Sequence, residues 1–149
     1  PRSTLFPYST LFRSPYRTAL ALYIGVVGLV YSVALRHVWN PLGWQLVADR
    51  VLHDMVPLLY LLYWAFFVPK KGLHWRHPLW WLIYPAIYLA YVLIRGEIMH
   101  EYPYHFIDKN LLGWNKTMIN AGILLAVFAG LGFLLVGISR LFNSSSKPS

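Results

Sequence analysis

Four long runs of apolar residues, separated by short polar stretches, make up most of the chain. An α-helix needs roughly 20 residues to cross a hydrocarbon core of about 30 Å, and each run is close to that length or longer. The pattern therefore predicts an all-α integral membrane bundle in a domain covering 15–142, with a disordered tail over 143–149. Its four transmembrane helices are expected at about 16–35, 46–68, 78–95 and 116–141.

The second helix carries most of the polar groups that lie inside an apolar run. At about 100° per residue, one face holds Asp49, His53, Pro57, Tyr60 and Trp64. Pro57 has no N–H, and its ring clashes with the carbonyl four positions earlier, which belongs to His53. A histidine beside interrupted helical backbone at membrane depth indicates a functional site. The alternative is a histidine at the membrane interface, hydrogen-bonded to a neighbouring helix.

The third helix contains a second proline and a second polar stripe. Pro85 predicts a kink that frees the carbonyl of Trp81. The stripe follows the helical repeat, and its hydroxyls would find partners in a bundle interior; the alternative is an aromatic packing face with interfacial ends. Its members are Tyr84, Tyr88, Tyr91 and Arg95.

Small residues predict close contacts between helices. Gly25 and Gly28 would let a neighbouring helix approach the first one, and the fourth helix repeats a small residue every four positions, at Gly122, Ala126 and Gly130. The longest connection, 96–115, is too polar to lie in lipid, and its segment 102–106 resembles an aromatic wedge at the interface.

Composition supports the membrane class and excludes others. Only 12% of the residues are charged, where soluble domains average about 25%, and 58% are hydrophobic. The net charge of +8 arises from bases in short loops between apolar runs, so it reflects membrane topology, and we expect no nucleic-acid partner. The chain has no cysteine, which excludes disulfides and thiolate chemistry.

The distribution of charge predicts both an orientation and the location of the site. With 1–14 left out, all five acids fall on the side that holds 36–50 and 96–115 or just inside its edge, whereas the other side has six bases and no acid. By the positive-inside rule the second side, which includes the C-terminus, is cytoplasmic, in what we interpret as a bacterial inner membrane.

The acidic side brings together the residues that could form a pocket between the second and third helices and the long loop. His53 is the predicted general base, because the pKa of histidine lies near operating pH. Asp49, one turn earlier, could hold its tautomer; alternatively Asp49 pairs with Arg50 or Arg95 at the membrane edge. The predicted supporting residues are Asp49, Arg95, Tyr102, Tyr104 and Asp108. No serine or threonine lies in a recognised nucleophile motif.

Several blocks resemble a known family. They read A-D-x-x-L-H-D-x-x-P-L-L-Y-x-x-x-W at 48–64, P-K at 69–70, W-W-L-I-Y-P-x-x-Y-L-A-Y-x-x-x-R-G at 80–96 and Y-P-Y-x-F-x-D at 102–108. In this order they resemble the bacterial Pr-six-Pr membrane proteins, relatives of the androgen-inducible FAR/AIG-like proteins of animals, over about 16–140.

The resemblance implies a six-helix membrane bundle, of which this chain would be the C-terminal four helices. It also implies hydrolysis of lipid esters by an intramembrane threonine and a histidine, and the family histidine corresponds to His53. The family threonine belongs to a Phe-Thr motif on an earlier helix, which this chain lacks. A chain without that helix is expected to be inactive.

The first fourteen residues resemble a translated sequencing adapter. Residues 4–14 match TLFPYTTLFRS except that Ser9 stands for a threonine. We therefore expect 1–14 to be an artefact and the native sequence to begin near Pro15, with its true N-terminus, including the Phe-Thr motif, upstream.

Two other functions stay open. One is a non-enzymatic bundle, either transporter-like or a scaffold. The other is a metal or haem protein using His53, His100, His105 and an acid, although their spacing is unlike a compact ligand motif. His74 and His77 are expected to be turn residues without a ligand role. We predict no metal and no cofactor; the expected partners are the lipid bilayer and a lipid ester substrate. The sequence sets no oligomeric state.

Overall fold

The computed structural model describes residues 7–144, with side chains from 14 to 142. Every regular element in this part of the chain is helical, and the elements form four long helices. Helix α1 consists of Pro7–Val30 and a π turn, Tyr31–Leu35; α2 of Trp44–Arg50, a π turn, Val51–Met55, and Val56–Phe67; α3 of His77–Trp81 and Ile83–Met99; α4 of Lys109–Ser144. A short 3-10 helix, His105–Ile107, lies in the last connection.

Three of the four helices are long and apolar enough to cross a membrane: Ser14–Leu35, His77–Met99 and Lys109–Phe142. Helix α2 is not among them, and its first half carries the charged residues Asp49, Arg50 and Asp54. The predicted all-α, membrane-type fold of four helices is confirmed.

The last connection is shorter than the sequence predicts. Helix α3 continues to Met99 and α4 begins at Lys109, so the loop is 100–108 rather than 96–115. His100 ends α3 in the left-handed conformation (φ 57°), and the side chain of Asp108 accepts the N–H of Asn110 at 2.8 Å to begin α4. Gly113 (φ 73°) then kinks α4, so polar residues assigned to the loop form an extra helical turn.

Parts of both terminal segments lie outside the described residues. Of the segment interpreted as adapter, 1–6 lies outside the described residues, and α1 begins at Pro7 within it. Of the tail predicted to be disordered, 145–149 lies outside them as well.

The polar stripe of α2 faces the bundle interior, as predicted. Its five members are buried or half-buried, whereas most other residues between 49 and 64 are exposed. The contact with α1 depends on two glycines. A Cβ on Gly28 would lie 2.8 Å from Pro57, and a Cβ on Gly25 would lie 3.6 Å from Leu61. The predicted close approach is therefore confirmed at Gly28, whereas the contact at Gly25 is at an ordinary distance.

The core consists of three clusters of buried residues. Leu22 and Val26 pack with Trp81 and Val136, a second cluster joins Leu89, Val92, Ile107 and Ala121, and a third joins Ala21 of α1 to Trp64 and Val68 at the end of α2. Many of the large apolar side chains outside these clusters are exposed, as expected for surfaces that contact lipid.

The interruption predicted at Pro85 is present. Helix α3 is broken at Leu82, and the carbonyl of Trp81 accepts a hydrogen bond from the Tyr23 hydroxyl of α1 at 2.8 Å. The carbonyl that the proline leaves without its helical partner is thus satisfied by a neighbouring helix.

Two predicted faces are oriented differently. The inward face of α3 consists of Pro85, Leu89, Val92 and Gly96, whereas the tyrosine stripe is largely exposed. On α4 the small-residue face is exposed too, and a Cβ added at Gly122 or Gly130 would meet no atom within 4 Å. Both stripes lie on helices that are apolar around most of their circumference, so periodicity alone does not select the inward face.

Candidate functional site

His53 lies in the π turn of α2 and faces α1. Its Nδ1 is 3.1 Å from the backbone carbonyl oxygen of Asp49 and 3.2 Å from Oδ1 of the same residue. Because both of these oxygens can only accept a hydrogen bond, Nδ1 is the nitrogen that carries the proton, and its N–H donates a hydrogen bond to Asp49. Nε2 is left as the acceptor, available to a ligand.

Tyr31 completes this arrangement from the opposite helix. Its ring stacks on the imidazole of His53 with 3.9 Å between ring centroids, and its hydroxyl donates to Oδ2 of Asp49. Asp49 is only 9% exposed, so a buried carboxylate has both oxygens engaged. Tyr31 begins the π turn of α1, and His53 is the middle residue of the π turn of α2. Two widened helical turns thus meet at the site, and such turns are frequent at functional sites.

Among the described residues, the other charged side chains near the site form ion pairs with one another, and none of them pairs with Asp49. Asp54 forms ion pairs with Arg36 of α1 and, at 3.1 Å, with Arg50 one turn earlier. The alternative, in which Asp49 pairs with Arg50 or Arg95, is wrong. Asp49 contacts the hydroxyl of Tyr31 and the imidazole of His53.

An apolar cavity of about 390 Å³ opens beside His53 and runs between α1, α3, α4 and the loop 100–108. Its polar lining consists of the imidazole and five phenols; every other lining residue is apolar. This is the composition expected of a site for a largely apolar ligand with one polar group. The five phenols belong to Tyr23, Tyr31, Tyr84, Tyr88 and Tyr104.

The loop 100–108 forms one wall of this cavity. The Tyr104 and Tyr88 hydroxyls lie 3.0 Å apart, and Asn120 donates to the carbonyl of Phe106 at 2.7 Å. Burial, together with the hydrogen bond to Tyr88, raises the pKa of Tyr104 to about 12. Tyr104 therefore stays protonated and keeps a hydroxyl group beside the ligand space.

The structure brings three of the predicted site residues together and leaves three elsewhere. His53 and Tyr104 line the same cavity and Asp49 contacts His53, but Arg95 lines a separate, shallow groove on the outer face of α3. Tyr102 packs on Gly96 and donates to Glu97 at 3.3 Å, and Asp108 caps α4. Burial and the Glu97 carboxylate raise the pKa of Tyr102.

Sequence reasoning missed Tyr31, which contacts both His53 and Asp49. The available signal was a phenol inside the apolar run 16–35, which needs a partner when it is buried. It also missed Tyr23 as the donor to the carbonyl freed by Pro85.

In the described part of the chain, no serine or threonine hydroxyl lines the cavity or has a hydrogen bond with His53. Thr18 accepts the indole N–H of Trp64 at 2.9 Å, and it precedes Gly28 by ten positions, or about 15 Å of helix. Ser139 donates to its own helix at 2.7 Å, and Ser32 accepts from Arg36 at 3.1 Å. Thr117 is fully buried, and its hydroxyl has no partner among the described residues.

Within residues 14–142 no group of three or more His, Cys, Asp or Glu side chains is placed to hold a metal ion. His74 and His77 interact in the turn before α3, where Nδ1 of His77 accepts the backbone N–H of His74 at 2.9 Å.

Comparison with protein-family models, with curated proteins and with solved structures finds no match.

Proposed function

We propose that the chain is the C-terminal part of an intramembrane hydrolase of lipid esters, with His53 as its general base. The observation that supports this most is that a histidine held by a buried carboxylate faces an apolar cavity between membrane-type helices. The resemblance to the Pr-six-Pr proteins points to the same histidine.

His53 would remove a proton from the nucleophile through Nε2. Asp49 fixes the tautomer through Nδ1 and stabilises the imidazolium that forms in the transition state. Tyr31 holds the other oxygen of Asp49 and stacks on the ring, so the imidazole is oriented on two sides. Orientation of this kind lowers the entropic cost of reaching the reactive geometry.

The cavity would hold the acyl part of the substrate. Its apolar walls suit a hydrocarbon chain. The hydroxyls of Tyr31 and Tyr23 already donate within the protein, so the donor to the ester carbonyl would be the Tyr88–Tyr104 pair, in which one hydroxyl proton is not used by the other tyrosine. The nucleophile in this proposal is the threonine of the family's Phe-Thr motif, expected upstream of Pro15.

The test uses the intact gene product, purified in detergent and incubated with a long-chain ester and, separately, with a fluorophosphonate probe. We expect His53→Ala to lower hydrolysis by about 10²- to 10⁴-fold, the usual contribution of a general base, and to abolish labelling. Asp49→Asn should lower hydrolysis by a smaller factor. His74→Ala, in the distant turn, is the control and should leave both readouts unchanged. Equal activity of the wild type and His53→Ala would refute the role of His53.

A non-enzymatic function is the second candidate, because no serine or threonine hydroxyl lies among the residues that line the cavity. In that case the bundle binds an amphiphile without converting it, as a transporter or scaffold would. Tight binding of a long-chain ester that is recovered unhydrolysed from the intact gene product, together with no probe labelling, would favour it.

We also propose a bacterial inner-membrane location with the C-terminus in the cytoplasm. Since the chain has no cysteine, single introduced cysteines report the side directly. Lys71→Cys should be protected from a membrane-impermeant maleimide added outside intact cells, and Glu101→Cys should be labelled. The reverse pattern would invert the topology.

A further inference from the structure

The end of the bundle opposite His53 carries positive charge without any described carboxylate nearby. All five acidic residues lie at the other end, at Asp49, Asp54, Glu97, Glu101 and Asp108. The connection between α2 and α3, together with the adjoining ends of α1 and α4, contributes Arg17, Lys70, Lys71, Arg76 and Arg140. An anion near this end would therefore meet no described carboxylate that repels it.

The connection that presents these cations is fixed by packing. Leu73 is buried in the core, at 5% exposure, and Gly72 (φ 82°) provides the turn. Lys70 is held at the end of α2. Its ammonium donates hydrogen bonds to the carbonyls of Trp64, Ala65 (3.1 Å) and Val68 (2.7 Å). Lys71 and Arg76 therefore extend from a backbone whose path is fixed by the packing of Leu73 and the turn at Gly72.

Trp75 lies on the same connection and contacts one of these cations. It is 47% exposed, the guanidinium of Arg140 lies 5.1 Å from its ring centroid, and its ring edge packs on Gly137. Lys71 and Arg76 are exposed on the same connection. Tryptophan is enriched at the level of lipid headgroups, so this ring places the three exposed cations at that level.

We propose that Lys71, Arg76 and Arg140, the exposed cations of this connection and of the adjoining end of α4, called the basic surface here, bind the phosphate headgroups of anionic phospholipids in the adjoining leaflet. Guanidinium groups form paired hydrogen bonds with phosphate oxygens. The cation–π contact holds Arg140 beside Trp75, and lipid acyl chains can continue along exposed apolar side chains of α3, such as Leu79 and Trp80. The basic surface does not depend on the chemistry proposed for His53.

The experiment measures which lipids stay bound to the purified chain. The protein is equilibrated in detergent with equal amounts of phosphatidylglycerol and phosphatidylcholine, and bound lipid is counted by native mass spectrometry. We expect the wild type to retain phosphatidylglycerol preferentially. Arg76→Gln/Arg140→Gln should lower the preference by about fivefold for each charge removed.

Lys116→Gln is the matched control for Arg140→Gln, because both residues are exposed cations on α4 near its opposite ends. It should keep the wild-type ratio. Arg140→Lys keeps the charge and should retain most of the preference, and Lys71→Gln provides an independent test if the double variant does not fold, as judged by circular dichroism. An unchanged lipid ratio in the folded charge-removal variants would overturn the proposal, as would displacement of the lipid by millimolar inorganic phosphate, which would identify a site for free phosphate.

Discussion

Gly28→Ala tests whether the close contact between α1 and α2 positions His53. A methyl group on Gly28 would lie 2.8 Å from Cγ and 2.9 Å from Cβ of Pro57, and 3.1 Å from the carbonyl oxygen of His53. None of these atoms belongs to a flexible side-chain end, because two are in a proline ring and one is backbone. Relief therefore requires α2 to move away from α1 at the π turn.

The expected magnitude follows from two opposing effects. Alanine is more favourable than glycine inside a helix by about 1 kcal/mol, and this gain applies equally to both glycines of α1. Overpacking a well-packed contact costs about 1–3 kcal/mol. Gly25→Ala is the matched control, since its nearest neighbour is the flexible Leu61 side chain at 3.6 Å, an ordinary contact distance. Gly28→Ala should therefore be less stable than Gly25→Ala by about 1–3 kcal/mol.

The assay is reversible unfolding of the purified chain in mixed micelles, followed by helical circular dichroism as the fraction of denaturing detergent rises. In the intact gene product, Gly28→Ala should also lower any ester hydrolysis more than Gly25→Ala does, because displacement of the π turn moves the imidazole. Equal unfolding free energies for the two variants would show that the contact at Pro57 is loose and would refute the reasoning.

Two further predictions concern tyrosine hydroxyls. Tyr23→Phe removes the donor to the half-buried Trp81 carbonyl and should lower the free energy of unfolding by about 0.5–1.5 kcal/mol, the net contribution of one hydrogen bond; the same unfolding assay on Tyr84→Phe, whose side chain is 62% exposed, should show little change. Because the pKa of Tyr104 is raised to about 12 from its ordinary 10, the folded state keeps a proton that the unfolded state loses, so stability should fall as pH rises from about 10 to 12. Tyr104→Phe should make that decline shallower than Tyr91→Phe does in denaturation curves taken across this pH range, and identical slopes would contradict the assignment.

Local rules predicted the features that depend on one helix. The helical period predicted the buried stripe of α2. The chemistry of proline predicted the break in α3, because the missing N–H leaves the carbonyl four residues earlier without its partner wherever the helix lies. The partner that satisfies the carbonyl of Trp81 could not be predicted in this way. Tyr23 is 58 residues away in sequence, and only the packing of α1 against α3 brings it near.

Features that depend on which face turns inward were harder to predict. In water, the apolar face of a helix is the buried one, but in a membrane both lipid and protein accept apolar side chains. The glycine face of α4 therefore looked like a contact surface but is exposed, and the tyrosine stripe of α3 is largely exposed although Tyr84 and Tyr88 also line the cavity. The predicted role of Arg95 rested on the same stripe, and its side chain lines the outer groove.

The π turns explain why polar groups can gather at one point between such apolar helices. In α2 the Val56 N–H bonds to the Val51 carbonyl, five residues back, and in α1 the Arg36 N–H reaches the Tyr31 carbonyl at 2.8 Å in the same way. A turn widened by one residue shifts the helical register. The proline at 57 favours this change in α2, but α1 has no proline near Tyr31 and no sequence signal for it. The paired turns bring Asp49, His53 and Tyr31 into mutual contact, so the carboxylate and Nδ1 are satisfied within the protein and Nε2 remains for a ligand in the cavity.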